Sequence, residues 1–185
     1  MARLKSETAD AHDRVDACVD LEHLSRARYV AMLRGFRRAQ SAVERALAPF
    51  ADTLGAFGYD VSERSKLARL NEDLAALGEP ASETTDELRL DDAGAAFGAI
   101  YVVEGSTLGA RIISRHADAL GITHERGGSF LHGYGDQTGA MWKRTAASIT
   151  SYIVECPDDE ASLLTGARAT FALFEHCLKT ELDGR

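Results

Sequence analysis

YVVEGSTLGARIISRHADALG (residues 101–121) is apolar enough for a buried helix, yet it carries Gly105 and Gly109 in its first half. Each glycine inside a helix costs about 1 kcal/mol relative to alanine. Two of them four residues apart imply that something approaches that backbone. The run extends upstream, and residues 91–120 read as one central helix, with Gly121 just past its end. On a wheel of about 100° per residue centred on Gly98, Gly105 falls near about −20°, Gly109 near about +20° and Gly94 near about −40°. Four glycines thus line one face, and Ile112 and His116 extend it. Close helix–helix packing explains such a stripe. So does a flat ligand laid against the backbone, and glycine also eases bending around a ligand.

Outward from this helix the same 3.6 spacing recurs, and period-2 alternation is nearly absent. Leu4, Ala11, Val15 and Cys18 share a face of an N-terminal helix. Leu24 and Ser25 look like a hydrophobic staple and N-cap. A long amphipathic helix then carries Tyr29, Leu33, Phe36, Val43, Leu47 and Phe50, with Pro49 near its end and a break at 55–60. A helix over 65–77 shows a leucine stripe and is stopped by Gly78 and Pro80, before a polar loop at 79–87. The glycine-rich stretch 127–139 reads as a loop. Helices over 138–155 and 159–182 complete an all-α fold of six to eight helices, expected as one domain over residues 1–185.

Composition narrows the function. The chain is 45% hydrophobic with a net charge of −8, a globular balance that argues against a nucleic-acid partner. The first residues, MARLKSETADAHDRVD, are charged, and no uninterrupted apolar run reaches the roughly 18 residues of a membrane span. A cytoplasmic protein that binds no membrane is expected. Cys18, Cys156 and Cys177 have no metal-like spacing and read as free thiols. HExxH, zinc-type Cys/His clusters and a GxSxG elbow are all missing from the sequence.

His12 lies at the border of the apolar face of the first helix. An imidazole there can look into a crevice while its other nitrogen meets water or a carboxylate. His23, His124, His132 and His176 carry the ordinary reading of exposed or packed histidines. His116 is the rival, because it shares the glycine stripe.

Taken together, LKSETADAH (4–12) and YVVEGSTLGA (101–110) resemble the heme oxygenases. The first is similar to that family's proximal helix, whose Leu-Lys…Thr…His run ends in the axial ligand; the matching residue is His12. The second is similar to the distal helix, whose Gly-x-x-x-Gly element lies over the heme face; the matching residues are Gly105 and Gly109. EGSTLGA, FLHGYG (130–135) and TGAMW (138–142) resemble the bacterial branch that accompanies bacteriophytochromes. The likeness runs from residue 4 to about 180.

The resemblance implies a heme oxygenase-like fold with heme between the N-terminal helix and the glycine-containing distal helix. Heme would be both cofactor and substrate. O₂ and electrons from an external reductase or ferredoxin would convert it to biliverdin, CO and Fe²⁺, and a phytochrome would be a recipient of the bilin. His12 would be the axial ligand of the heme iron, and Gly105, Ser106 and Gly109 would stand beside the oxygen. Lys5 matches a propionate contact. Phe171 would line the pocket, although its spacing with Leu164, Ala167, Phe174 and Leu178 favours plain core. Tyr134, Trp142 and Arg111 carry a similar ambiguity. Two positions depart from the animal-type pattern. Ser106 stands where that pattern has a proton-ordering Asp, and a hydroxyl cannot hold a negative charge; Ala110 replaces a second glycine. Ser106 and Thr107 also read as helix residues that bond back to the preceding turn. A non-catalytic heme carrier or sensor on the same fold is the rival function. A helical interaction module that packs a partner on the glycine stripe is a third.

Overall fold

The computed structural model describes residues 1–79 and 84–184, and among these the secondary structure is helical throughout. Pro80 and positions 81–83 of the expected polar loop lie outside the described residues. The helices are α1 (Ala2–Glu7), α2 (Ala9–Ala17), α3 (Arg26–Leu47), α4 (Ala51–Ala56), α5 (Leu67–Ala76), α6 (Ala93–Asp118), α7 (Ser129–His132), α8 (Thr138–Glu155) and α9 (Glu160–Asp183). Short 3₁₀ turns fill Ala48–Phe50, Gly135–Gln137 and Pro157–Asp159.

Several boundaries follow local chemistry. Ser25 caps α3 by accepting the Arg28 amide at 3.2 Å, and Asp92 caps α6 by accepting the Ala95 amide at 2.8 Å. Pro49 sits in the 3₁₀ turn that ends α3. Gly121, with φ of 72°, takes the left-handed conformation just beyond α6 that other residues rarely adopt.

Two expectations need correction. The N-terminal helix is two helices, because the backbone breaks at Thr8 (φ −115°, ψ 3°), whose buried hydroxyl donates to the Leu4 carbonyl at 2.7 Å. Lys5 and His12 therefore stand on different helices. The glycine-rich stretch 127–139 is not simply a loop: α7 starts in it because the buried Asp73 carboxylate accepts the amides of Ser129 (2.9 Å) and Phe130 (2.7 Å). Together with α4, a separate helix that continues to Ala56 and so delays the break expected at 55–60, these pieces give nine α-helices among the described residues, one more than the six to eight expected.

Helix α9 is the common support. It packs against α6, α3 and α2. Its crossing with α6 is close: a Cβ on Gly98 would lie 2.1 Å from the Leu163 carbonyl oxygen, and one on Gly166 would lie 2.1 Å from the Ala95 carbonyl oxygen. Phe97 stacks on Tyr152 of α8 at 4.1 Å between ring centroids, and Phe57 meets both edge-on. By length and composition α6 would suffice to cross a membrane, but 56% of its apolar window is buried inside the fold. It is the core helix.

Candidate functional site

The glycine stripe divides. Gly94 and Gly98 face α9: a Cβ on Gly94 would come within 3.0 Å of Asp159. They are there for helix packing. A Cβ on Gly105 would make only ordinary contact with the Trp142 ring at 3.6 Å, and one on Gly109 would meet nothing within 4 Å. Beside them Leu108 and Ile112 are exposed, at 46% and 56%. On the helix these four residues span an arc of about 100°. An uncovered apolar strip with bare backbone in its middle therefore occupies the second half of α6.

His12 lies on α2, which packs on α9, the helix that also supports α6. Its ring meets Phe171 edge-on at 5.8 Å, and Phe171 is buried. Phe171 is thus a core residue, and the His12 ring rests against it. The His12 side chain is 56% exposed, and its Nδ1 lies 3.3 Å from the Asp16 carboxylate one turn on. That contact orients the ring and leaves Nε2 as the free nitrogen. Lys5 is exposed on α1. The Ser106 hydroxyl donates to the Val103 carbonyl at 3.0 Å, and that of Thr107 to the Glu104 carbonyl at 2.6 Å, so both bond back along the helix. His116, the rival ligand, is exposed, with Nδ1 2.9 Å from the Ile112 carbonyl.

A further group lies on another face of α6. Glu104, fully buried one residue before Gly105, accepts from Lys66 Nζ at 2.5 Å, Arg64 at 3.0 Å, and the hydroxyls of Tyr59 (3.2 Å) and Tyr134 (3.1 Å to each oxygen). The Arg64 guanidinium also lies over the Tyr59 and Tyr134 rings. Burial, reinforced by the Glu104 charge, pushes the Tyr59 hydroxyl well above its usual range, so it stays a donor. Burial opposes the charge on Arg64, but Tyr134 and Glu104 outweigh it and raise its pKa. The sequence reading did not find this cluster. Its one visible signal was a carboxylate inside an apolar run, YVVEGST.

The match to known proteins agrees with this geometry. The heme oxygenase family model matches residues 1–180. The chain belongs to the heme oxygenase family. It is 31% identical over 163 residues to a heme oxygenase of Xanthomonas campestris pv. campestris (strain 8004), covering 86% of this chain and 93% of that one. Its fold superposes on the crystal structures of NO- and CO-bound heme oxygenase from Neisseria meningitidis with a TM-score of 0.85 at 26% identity, covering 98% of this chain and 91% of that one. Family membership and these likenesses support a heme-degrading activity with heme as the substrate.

The residues present suit heme. A heme oxygenase must hold a flat, largely apolar macrocycle by one axial ligand and leave its other face open. An exposed imidazole with one nitrogen free, and a strip of bare backbone flanked by uncovered Leu108 and Ile112, have the chemistry these two elements need.

Proposed function

We propose that this chain degrades heme to biliverdin, CO and Fe²⁺, with His12 Nε2 as the axial ligand and the strip of α6 against the opposite ring face. The observation that carries this reading is the space beside Gly109, on a helix whose other half is packed to contact. Heme, when bound, supplies the iron that activates O₂ and the ring carbon that is oxygenated. Asp16 holds the His12 ring by Nδ1, and Phe171 backs it. Gly105 and Gly109 leave room over the ring, so O₂ would meet backbone and not side chains. Ser106 would hold no charge there, and its proton is already directed at the Val103 carbonyl. Proton delivery would therefore run through ordered water. Lys5, exposed on α1, would meet a propionate.

Electrons would come from a separate reductase or ferredoxin, because the sequence carries no flavin or nicotinamide motif. The segments EGSTLGA and FLHGYG favour the branch that supplies bilin to a phytochrome, with iron release from heme as the other use. Three free thiols fit a reducing compartment, the cytoplasm. One observation favours a second reading, a heme carrier: the committed Ser106 hydroxyl offers no acid on the distal side.

The test is one equivalent of hemin, then ascorbate in air with catalase present, followed by absorption spectra and product extraction. Decay of the Soret band with growth of a biliverdin band is the expected result. A Soret band that forms and persists would favour the carrier. No Soret band at all would overturn both.

A further inference from the structure

The Glu104 cluster sits where the packed half of α6 gives way to the open half. Its partners come from two separate segments. Tyr59, Arg64 and Lys66 lie between α4 and α5, and Tyr134 lies in the turn after α7. The Lys66 end is fixed in turn by Glu44 of α3, which accepts the amides of Lys66 (2.8 Å) and Leu67 (3.2 Å). The Tyr134 turn is flanked by Gly133 and Gly135, whose positive φ values of 58° and 55° fold it back over α6. Gly133 lies beside Thr107, and the Gly135 carbonyl accepts from Arg111 at 3.1 Å. Glu104, Thr107 and Arg111 thus form one face of α6. That face is centred about 120° around the helix from the strip of Gly105, Leu108, Gly109 and Ile112.

A buried ion cluster is a poor way to gain stability, since well-packed apolar side chains of the same volume do as well or better. What it supplies is direction. Apolar contacts tolerate a helix turning by a few tens of degrees, whereas one carboxylate with four donors at 2.5–3.2 Å does not. The open half of α6 lacks the backbone-to-backbone lock that Gly98 and Gly166 give the other half. Something else must fix its rotation.

We propose that Glu104 is a positioning residue: held by Arg64, Lys66, Tyr59 and Tyr134, it sets the rotation of α6 and hence where the backbone of residues 105–109 lies over heme. This rests on the functional reading above. Glu104 itself touches no heme; it acts through Gly105 and Gly109. The cluster holds two cations and one anion, so losing the carboxylate leaves two buried positive charges unmatched.

The test uses two variants of the full chain. Glu104→Gln removes the charge at nearly constant shape. The triple variant Glu104→Leu, Arg64→Met, Lys66→Met replaces the ions by apolar side chains and is the one expected to fold whatever happens to the first. Two properties are read: amide hydrogen exchange over 104–110 in the heme-free protein, and the C–O stretching band of the reduced hemin complex under CO. Each folded variant is expected to exchange these amides at least about tenfold faster, with residues 94–100 unchanged. Each is expected to bind hemin within about threefold of wild type, since His12 is not among the partners of Glu104. The C–O band is expected to shift or split relative to that of the wild type. Wild-type exchange and a wild-type C–O band in either folded variant would overturn the proposal while leaving the heme reading standing. Wild-type protein that takes up no hemin would overturn the heme reading, and the exchange rates would still judge whether Glu104 fixes the helix.

Discussion

The two halves of α6 are built from similar residues and do opposite work. From Gly94 to Val103 nearly every side chain is buried, and the glycines exist because α9 comes within backbone contact. From Gly105 onward the glycines are uncrowded, Gly105 with only the Trp142 ring at ordinary contact distance and Gly109 with nothing near it, and two large apolar side chains are uncovered. Glycine spacing alone does not say which use it serves. The neighbour decides: Gly98 has Leu163 and Ala167 against it, and Gly109 has nothing.

That contrast can be broken experimentally, and the packed half should give the largest effect. Gly98→Ala or Gly166→Ala forces a methyl group into backbone that cannot yield. A loss of about 3 kcal/mol or more is expected. For a chain of this size that lowers the melting temperature by about 6–12 °C. A melting curve like the wild type's would mean that the α6–α9 crossing is looser than described. Next comes the ligand. His12→Ala should abolish the ordinary Soret band of the hemin complex. It should change heme-free stability by only about 0.5 kcal/mol, because the side chain is exposed. An unchanged spectrum would point to His116 as the ligand.

The open half should tolerate change until heme is added. Replacing Leu108 or Ile112 by Ser should leave melting nearly unaltered. Hemin affinity should fall about tenfold, near the 1.5 kcal/mol of burying such a side chain. Equal affinity would move the heme off this strip. The smallest effect is expected at Gly109→Ala. The heme-free protein should gain about 0.5–1 kcal/mol, as a helix does when glycine is replaced where space allows. Slower heme turnover should accompany the gain. A loss of stability would show that Gly109 has a neighbour after all.

Most of the fold was legible in the sequence because helical periodicity and local caps are short-range signals. Ser25, Pro49 and Gly121 mark their boundaries within a few residues. The break at Thr8 was not legible, since a threonine bonding to the preceding turn is common inside unbroken helices. Nor was α7, whose N-terminus is capped by Asp73 from 56 residues away. At the site, His12 and the Gly105–Gly109 pair stood out by motif, and the side chain of Phe171 was ambiguous until its contact with His12 was known. The Glu104 cluster was hidden for the same reason as α7: its partners are 30 to 45 residues distant in the chain. A lone Glu in an apolar run announces that a partner exists without naming it.

The most direct measurement is a crystal structure of the protein with hemin bound. The expected result is iron ligated by His12 Nε2, with the backbone of Gly105 and Gly109 against the opposite face of the ring and Leu108 and Ile112 covered by it. Iron ligated by His116 or any other residue, or heme seated away from the second half of α6, would contradict the division of that helix into a packed half and a substrate-facing half.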